Sequence, residues 1–222
     1  MKKFLLLTAV VLMATCANAQ SFFSKFDYDI EAGVGIRGAN APFDKGTIGL
    51  QRLGVNATIP FKTFANNKMD FYGTLGLMYA KKGGSLFSGL EDIVYDNKLK
   101  LNQIEIPIHV GLQYALGQKT KLFLDLGPYV GFGIAGKFGI DNSDGDEKML
   151  KNGIDVGVGG NFGFKFKTFI LGFGYEKGFT NAAKFTVPED FRGNEALEWG
   201  KTYGIKTQVI YVSLRWTFLR RK

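Results

Sequence analysis

From Asp27 to Arg37 apolar and polar residues alternate without a break. Tyr28, Ile30, Ala32, Val34 and Ile36 fall on one side, and Asp27, Asp29, Glu31, Gly33, Gly35 and Arg37 on the other. Successive residues of a β-strand point to opposite faces, so this period of two gives a strand with one apolar and one polar face. The pattern returns around Thr47 to Phe61, Phe71 to Lys81, Leu99 to Leu116, Lys121 to Phe138, Ile154 to Phe164, Thr168 to Phe179 and Ile205 to Phe218. That makes eight strands, with ten as the alternative count, and no amphipathic helix. Strands of soluble proteins usually run about five or six residues, whereas these runs reach about ten or more, the length a tilted strand needs to cross a bilayer.

The connections alternate too. Those near Phe61 to Met69, Gly117 to Thr120 and Lys165 to Lys167 are short, while Gly38 to Gly46, Lys82 to Lys98, Ile140 to Gly153 and Thr180 to Tyr203 are longer and more polar. Short turns at one end and long loops at the other are the pattern of an outer-membrane barrel. An unpaired amide in hydrocarbon costs several kcal/mol, so the sheet must close on itself. The Ile, Val, Leu and Phe face then meets lipid, and glycine and polar residues fill a narrow interior. Glycine at 30 of 222 residues, about twice its usual share, suits that interior. Phe61, Phe71, Phe164, Phe169, Trp216 and Phe218 are expected at the periplasmic boundary, and Tyr79, Phe138, Tyr175 and Tyr203 at the other. A water-soluble barrel of lipocalin type would invert the two faces and expose Arg52 and Glu105.

The first nineteen residues read as a cleaved secretory signal: Lys2 and Lys3, an apolar stretch from Phe4 to Met13, and Ala17-Asn18-Ala19 before Gln20. Residues 20–222 then form a single barrel domain. The stretch is shorter than the ~20 residues of a spanning helix. Cys16, the only cysteine, leaves with the signal; lipid attachment there is disfavoured by Thr15, where Gly, Ala or Ser is usual. Loss of Lys2 and Lys3 lowers the net charge from +8 to +6. The remaining cations are spread over turns, loops and tail, which fits contact with anionic lipid and lipopolysaccharide and not nucleic acid.

Three stretches resemble the PorT-like, or porin-like, outer-membrane β-barrel family of Gram-negative bacteria: Leu101 to Tyr114 with its Glu-Ile-Pro core, Leu126 to Gly136 with Gly-Pro-Tyr, and the glycine-rich hairpin Asp155 to Gly178. The aromatic strand Tyr211 to Phe218 resembles the terminal strand read by barrel-insertion machinery, although Leu219-Arg220-Arg221-Lys222 follows it. The resemblance implies location in the outer membrane; a few members of that family take part in protein secretion.

Two G-x-G-x-x-G matches, Gly33 to Gly38 and Gly131 to Gly136, lie within alternating strands with no helix behind them, so they are not dinucleotide sites. The sequon Asn56-Ala57-Thr58 also lies in a strand, and the basic turn Lys81 to Ser85 lacks phosphate-loop spacing. One cysteine and one histidine leave too few ligands for a disulfide or a tetrahedral zinc site, and no cofactor is expected.

Chemistry is confined to the inward polar set. Glu105 and His109 share a face, and the turn near Gly117 brings Asp125 back toward His109. The expected role of this cluster is a hydrogen-bonded plug, ahead of solute or proton passage and ahead of catalysis. Pairing of the first and last strands is expected to set Asp29 opposite Arg215 as an interior ion pair, shared with Asp27 or Glu31. The sequence thus reads as a non-enzymatic membrane scaffold or interaction barrel, with a small-solute channel or a part in a secretion pathway as alternatives. A protein partner is expected at the long external loops, where Phe185, Phe191 and Trp199 in Thr180 to Tyr203 are contact candidates.

Overall fold

A computed structural model describes residues 24–39, 49–64, 68–85, 96–141, 148–149, 151–186 and 202–220. The proposed signal peptide, Cys16, Phe191 and Trp199 lie outside the described residues, as do the side chains of Phe138, Phe185 and Tyr203.

Eight long strands form the wall: β1 Asp27–Ala39, β2 Gly49–Phe64, β3 Met69–Ser85, β4 Asp96–Ala115, β5 Thr120–Asp141, β6 Ile154–Phe166, β7 Phe169–Gly178 and β8 Thr207–Leu219. Each pairs antiparallel with its neighbours in sequence, and β8 returns to β1, from Leu219 opposite Tyr28 to Thr207 opposite Ala39. The up-and-down sheet is therefore closed, with no edge to leave unpaired. Among the described residues there is no helix.

The two faces fall as the alternation requires. Ile30, Val55, Leu75, Ile108, Leu124, Leu126, Phe162, Phe173 and Leu214 stand on the outer surface, while Glu31, Arg52, Glu105, Asp125 and Arg215 are buried inside. A water-soluble barrel would present the reverse, so the outer belt is the lipid face. Of the expected periplasmic girdle, Phe61, Phe164, Phe169, Trp216 and Phe218 are exposed on the wall, and Phe71 is half-buried with its ring centroid 5.6 Å from that of Phe61. At the other end Tyr175 is exposed and Tyr79 half-buried.

Three features depart from the sequence reading. β3 does not stop at Lys81 but runs to Ser85, which carries Lys82 into the lumen instead of into a turn. A bulge where β1 meets β2, between Gly33 and Val34, turns both Gln51 and Arg52 inward. The long external connections also carry strands of their own: Lys151–Asn152, Ala183–Thr186 and Thr202–Ile205 make a small sheet beyond the rim.

Inward glycines sit where large inward side chains cross the lumen. A Cβ at Gly157 would lie 2.7 Å from the Tyr129 ring, and one at Gly174 would run into Tyr211. Both tyrosines are fully buried, so these glycines are the space that lets the rings lie across a narrow barrel.

Candidate functional site

Every one of the eight strands sends a charged side chain into the lumen: Glu31, Arg52, Lys82, Glu105, Asp125, Asp155, Glu176 and Arg215, in chain order. They form a ladder of alternating sign. At the external end Lys82 Nζ lies 2.6 Å from Glu105, 3.3 Å from Glu176 and 3.4 Å from Asp155, with the Tyr129 ring centroid 3.8 Å away. Glu176 continues to Arg52, whose guanidinium also reaches Glu31 at 3.1 Å and the Tyr211 hydroxyl at 2.6 Å. Glu31 accepts from Arg215 at 3.1 Å, and Arg215 stands 3.8 Å from Asp125.

Asp125 ends the ladder on the periplasmic side. It lies 2.9 Å from His109 Nδ1, and the Asn161 amide and the Tyr72 hydroxyl donate to it at 3.1 Å each. A carboxylate offers about four acceptor positions, so neutral donors complete what the cations leave open. Glu105 and Asp155 are 0% exposed and Lys82 1%, so these charges are removed from solvent and held by one another.

The structure unites His109 with Asp125, as expected from the short β4–β5 turn, but separates Glu105 from them. Residues i and i+4 of a strand share a face yet stand about 13 Å apart at ~3.3 Å per residue. Glu105 therefore meets Lys82 of the adjacent strand. The barrel-closure pair is also corrected: Asp29 lies opposite Thr217, and the carboxylate paired with Arg215 is Glu31. An irregularity between Tyr28 and Asp29 shifts the register by one residue at the end of β1. Double-mutant cycles in folded barrels are expected to give a larger coupling for Glu31→Gln with Arg215→Gln, about 1–3 kcal/mol, than for Asp29→Asn with Arg215→Gln. The opposite order would return the pair to Asp29.

Lys82, Asp155 and Glu176 escaped the sequence reading as members of the site. Glu176 and Asp155 carried a usable signal, since each shares the face of a run of inward glycines, Gly172 to Gly178 and Gly157 to Gly163. Among the described residues no group of three or more His, Cys, Asp or Glu side chains is arranged to hold a metal ion.

The described residues outline an opening of the lumen at the periplasmic end. Toward the external side Leu101 is buried on β4, and Ala182, Ala183 and Ile205 are buried in and beside the small outer sheet. On the periplasmic side a cavity of about 320 Å³ opens between the turns and reaches inward to Thr58 and Tyr72. The void that continues toward Arg215 shrinks to about 10 Å³, room for about one water.

The outer membrane protein beta-barrel domain family model matches residues 17–184, more than half of the chain. Among solved structures, the outer membrane enzyme PagL is 11% identical, with 86% of this chain and 99% of that one covered and a TM-score of 0.49. Ail, the attachment invasion locus protein of Yersinia pestis, is 14% identical, with 86% and 98% covered and a TM-score of 0.36. Neisserial surface protein A is 11% identical, with 86% and 97% covered and a TM-score of 0.37. No curated protein matches. With its closed eight-stranded wall and apolar outer belt, the chain belongs to the outer membrane protein β-barrel domain family and is a protein of the outer membrane.

Proposed function

We propose that this barrel is a non-conducting scaffold or interaction protein, PorT-like in kind, whose lumen is a structural plug rather than a route for solutes. The observation that carries the reading is the continuous ladder from Glu105 through Lys82, Glu176, Arg52, Glu31 and Arg215 to Asp125, which spans the barrel with its charges in contact. A solute would have to break several buried ion pairs in sequence, each costing far more than a hydrated pore wall would charge it. The Glu-Ile-Pro, Gly-Pro-Tyr and glycine-rich stretches support the PorT-like assignment. The reading gives the protein no catalytic role: His109 is buried, and its Nδ1 is committed to Asp125, which the ladder also uses.

Planar-bilayer recording tests it. Barrels shown to be folded by heat-modifiable migration, then inserted, are expected to give no steady ohmic steps. Regular steps of one size would identify a wet lumen and replace the scaffold reading with a small-solute channel.

A further inference from the structure

The periplasmic cavity is lined by five cations, Lys119, Lys121, Lys165, Lys167 and Arg220 among them, against two carboxylates, Asp27 and Asp70. The two carboxylates already have cations. Lys121 pairs with Asp70, and Lys165 lies 3.8 Å from Asp27. Lys119, Lys167 and Arg220 have no carboxylate within ion-pair distance among the described residues, so the concavity keeps an excess of positive charge.

Two features at these turns are unfavourable for local stability. A backbone hydrogen bond of 3.1 Å from Lys167 N to Lys119 O fixes the β6–β7 and β4–β5 turns side by side, and holds two lysines of like charge at neighbouring positions. Lys167 also has φ 48°, the left-handed region that glycine or asparagine takes at little cost, and it is the described non-glycine residue with positive φ. A strained lysine beside a second lysine is a poor solution for a turn, and a good one for gathering cations around an anion.

We propose that this vestibule is a docking site for an acidic peptide segment of a periplasmic partner. Its mouth opens inside the girdle of Phe164, Phe169 and Trp216 that marks the lipid boundary, which places the occupant in the periplasm and not among lipid head groups. The lining favours carboxylates on a peptide over a dense phosphate. The cations are spread over two turns and the chain end rather than converging on one point, and the side-chain amides of Gln113 and Gln118 offer donors and acceptors suited to a peptide backbone. The site adds to the interaction role proposed above and does not depend on whether the lumen conducts.

The test uses the full mature barrel in zwitterionic micelles with a fluorescent hexaglutamate peptide, read by anisotropy at two salt concentrations. Wild type is expected to bind, more weakly at high salt, and Lys119→Gln with Lys167→Gln to weaken binding at least about tenfold, the equivalent of ~1.4 kcal/mol. Lys62→Gln, outside the cavity, is expected to leave binding unchanged. Lys167→Gly separates site from scaffold: it is expected to raise unfolding resistance while weakening the peptide. Equal loss in the Lys62 and vestibule variants, no binding by wild type, or tighter binding of pyrophosphate or of phosphatidylglycerol vesicles than of the peptide would each overturn the proposal.

Discussion

Lys82→Met is expected to destabilise the folded barrel by about 3–5 kcal/mol, the largest loss from any single lumen substitution. Methionine keeps most of the buried stem, so packing changes little and the charge is what disappears. Five carboxylates, Glu31, Glu105, Asp125, Asp155 and Glu176, share the ladder with three permanent cations, Arg52, Lys82 and Arg215. Lys82 alone contacts three of the five, and it is the only cation contacting Glu105 among the described residues. Without it Glu105 and Asp155 stay buried with no cation in contact among the described residues, and Glu176 keeps only Arg52. Urea unfolding of the barrel refolded into vesicles measures the loss. The double variant Lys82→Met with Glu105→Gln removes one charge of each sign and is expected to recover part of it, which keeps the test readable if the single variant does not fold. A single-variant loss below about 1 kcal/mol would mean that water reaches Lys82 and that the ladder is not dry.

The wall was legible because lipid and lumen ask for opposite chemistry at successive residues, and no soluble environment sustains that contrast over such lengths. Tyr28 to Ile36 and Ile104 to Tyr114 declare their outer face residue by residue. The ends of strands were less legible for a related reason. Lumen and loop are both polar, so Lys81-Lys82-Gly83-Gly84 has the composition of a turn although Lys82 is the centre of the ladder. Its place could be read only from parity, since it follows Tyr72, Thr74, Gly76, Met78 and Ala80 on one face.

Contacts across the lumen were legible only over short connections. His109 and Asp125 are joined by the turn at 116–119, where counting residues is enough to place one beside the other. Arg215 and its partner are brought together by closure of the whole barrel, and the closing register, unbroken from Asp29 opposite Thr217 to Ala39 opposite Thr207, lies two residues from the one expected and so sets Glu31 in place of Asp29. The bulge that turns Gln51 and Arg52 inward together is likewise invisible to a strict period of two. Register and bulges therefore choose the partners, while the alternation chooses only the face.

Leu126→Arg is expected to cost about 2–4 kcal/mol, because Leu126 stands on the outer wall near the middle of the hydrocarbon. It lies six residues beyond Thr120, the start of β5. At ~3.3 Å per residue and a tilt of about 45°, it is roughly 14 Å above the periplasmic turns, half the depth of a core about 30 Å thick. Its exposure of 59% is then exposure to acyl chains, where an arginine must drag water or head groups inward. Leu219→Arg provides the comparison, since Leu219 is also exposed on the wall but ends β8 at the periplasmic boundary, where the same charge costs about 0–1 kcal/mol. Unfolding both variants in vesicles gives the difference directly. A cost at position 126 equal to that at position 219 would place the outer leucines in water and reverse the assignment of the two faces. A gradient between them fits only a bilayer, because a water-soluble barrel exposes both positions to the same solvent.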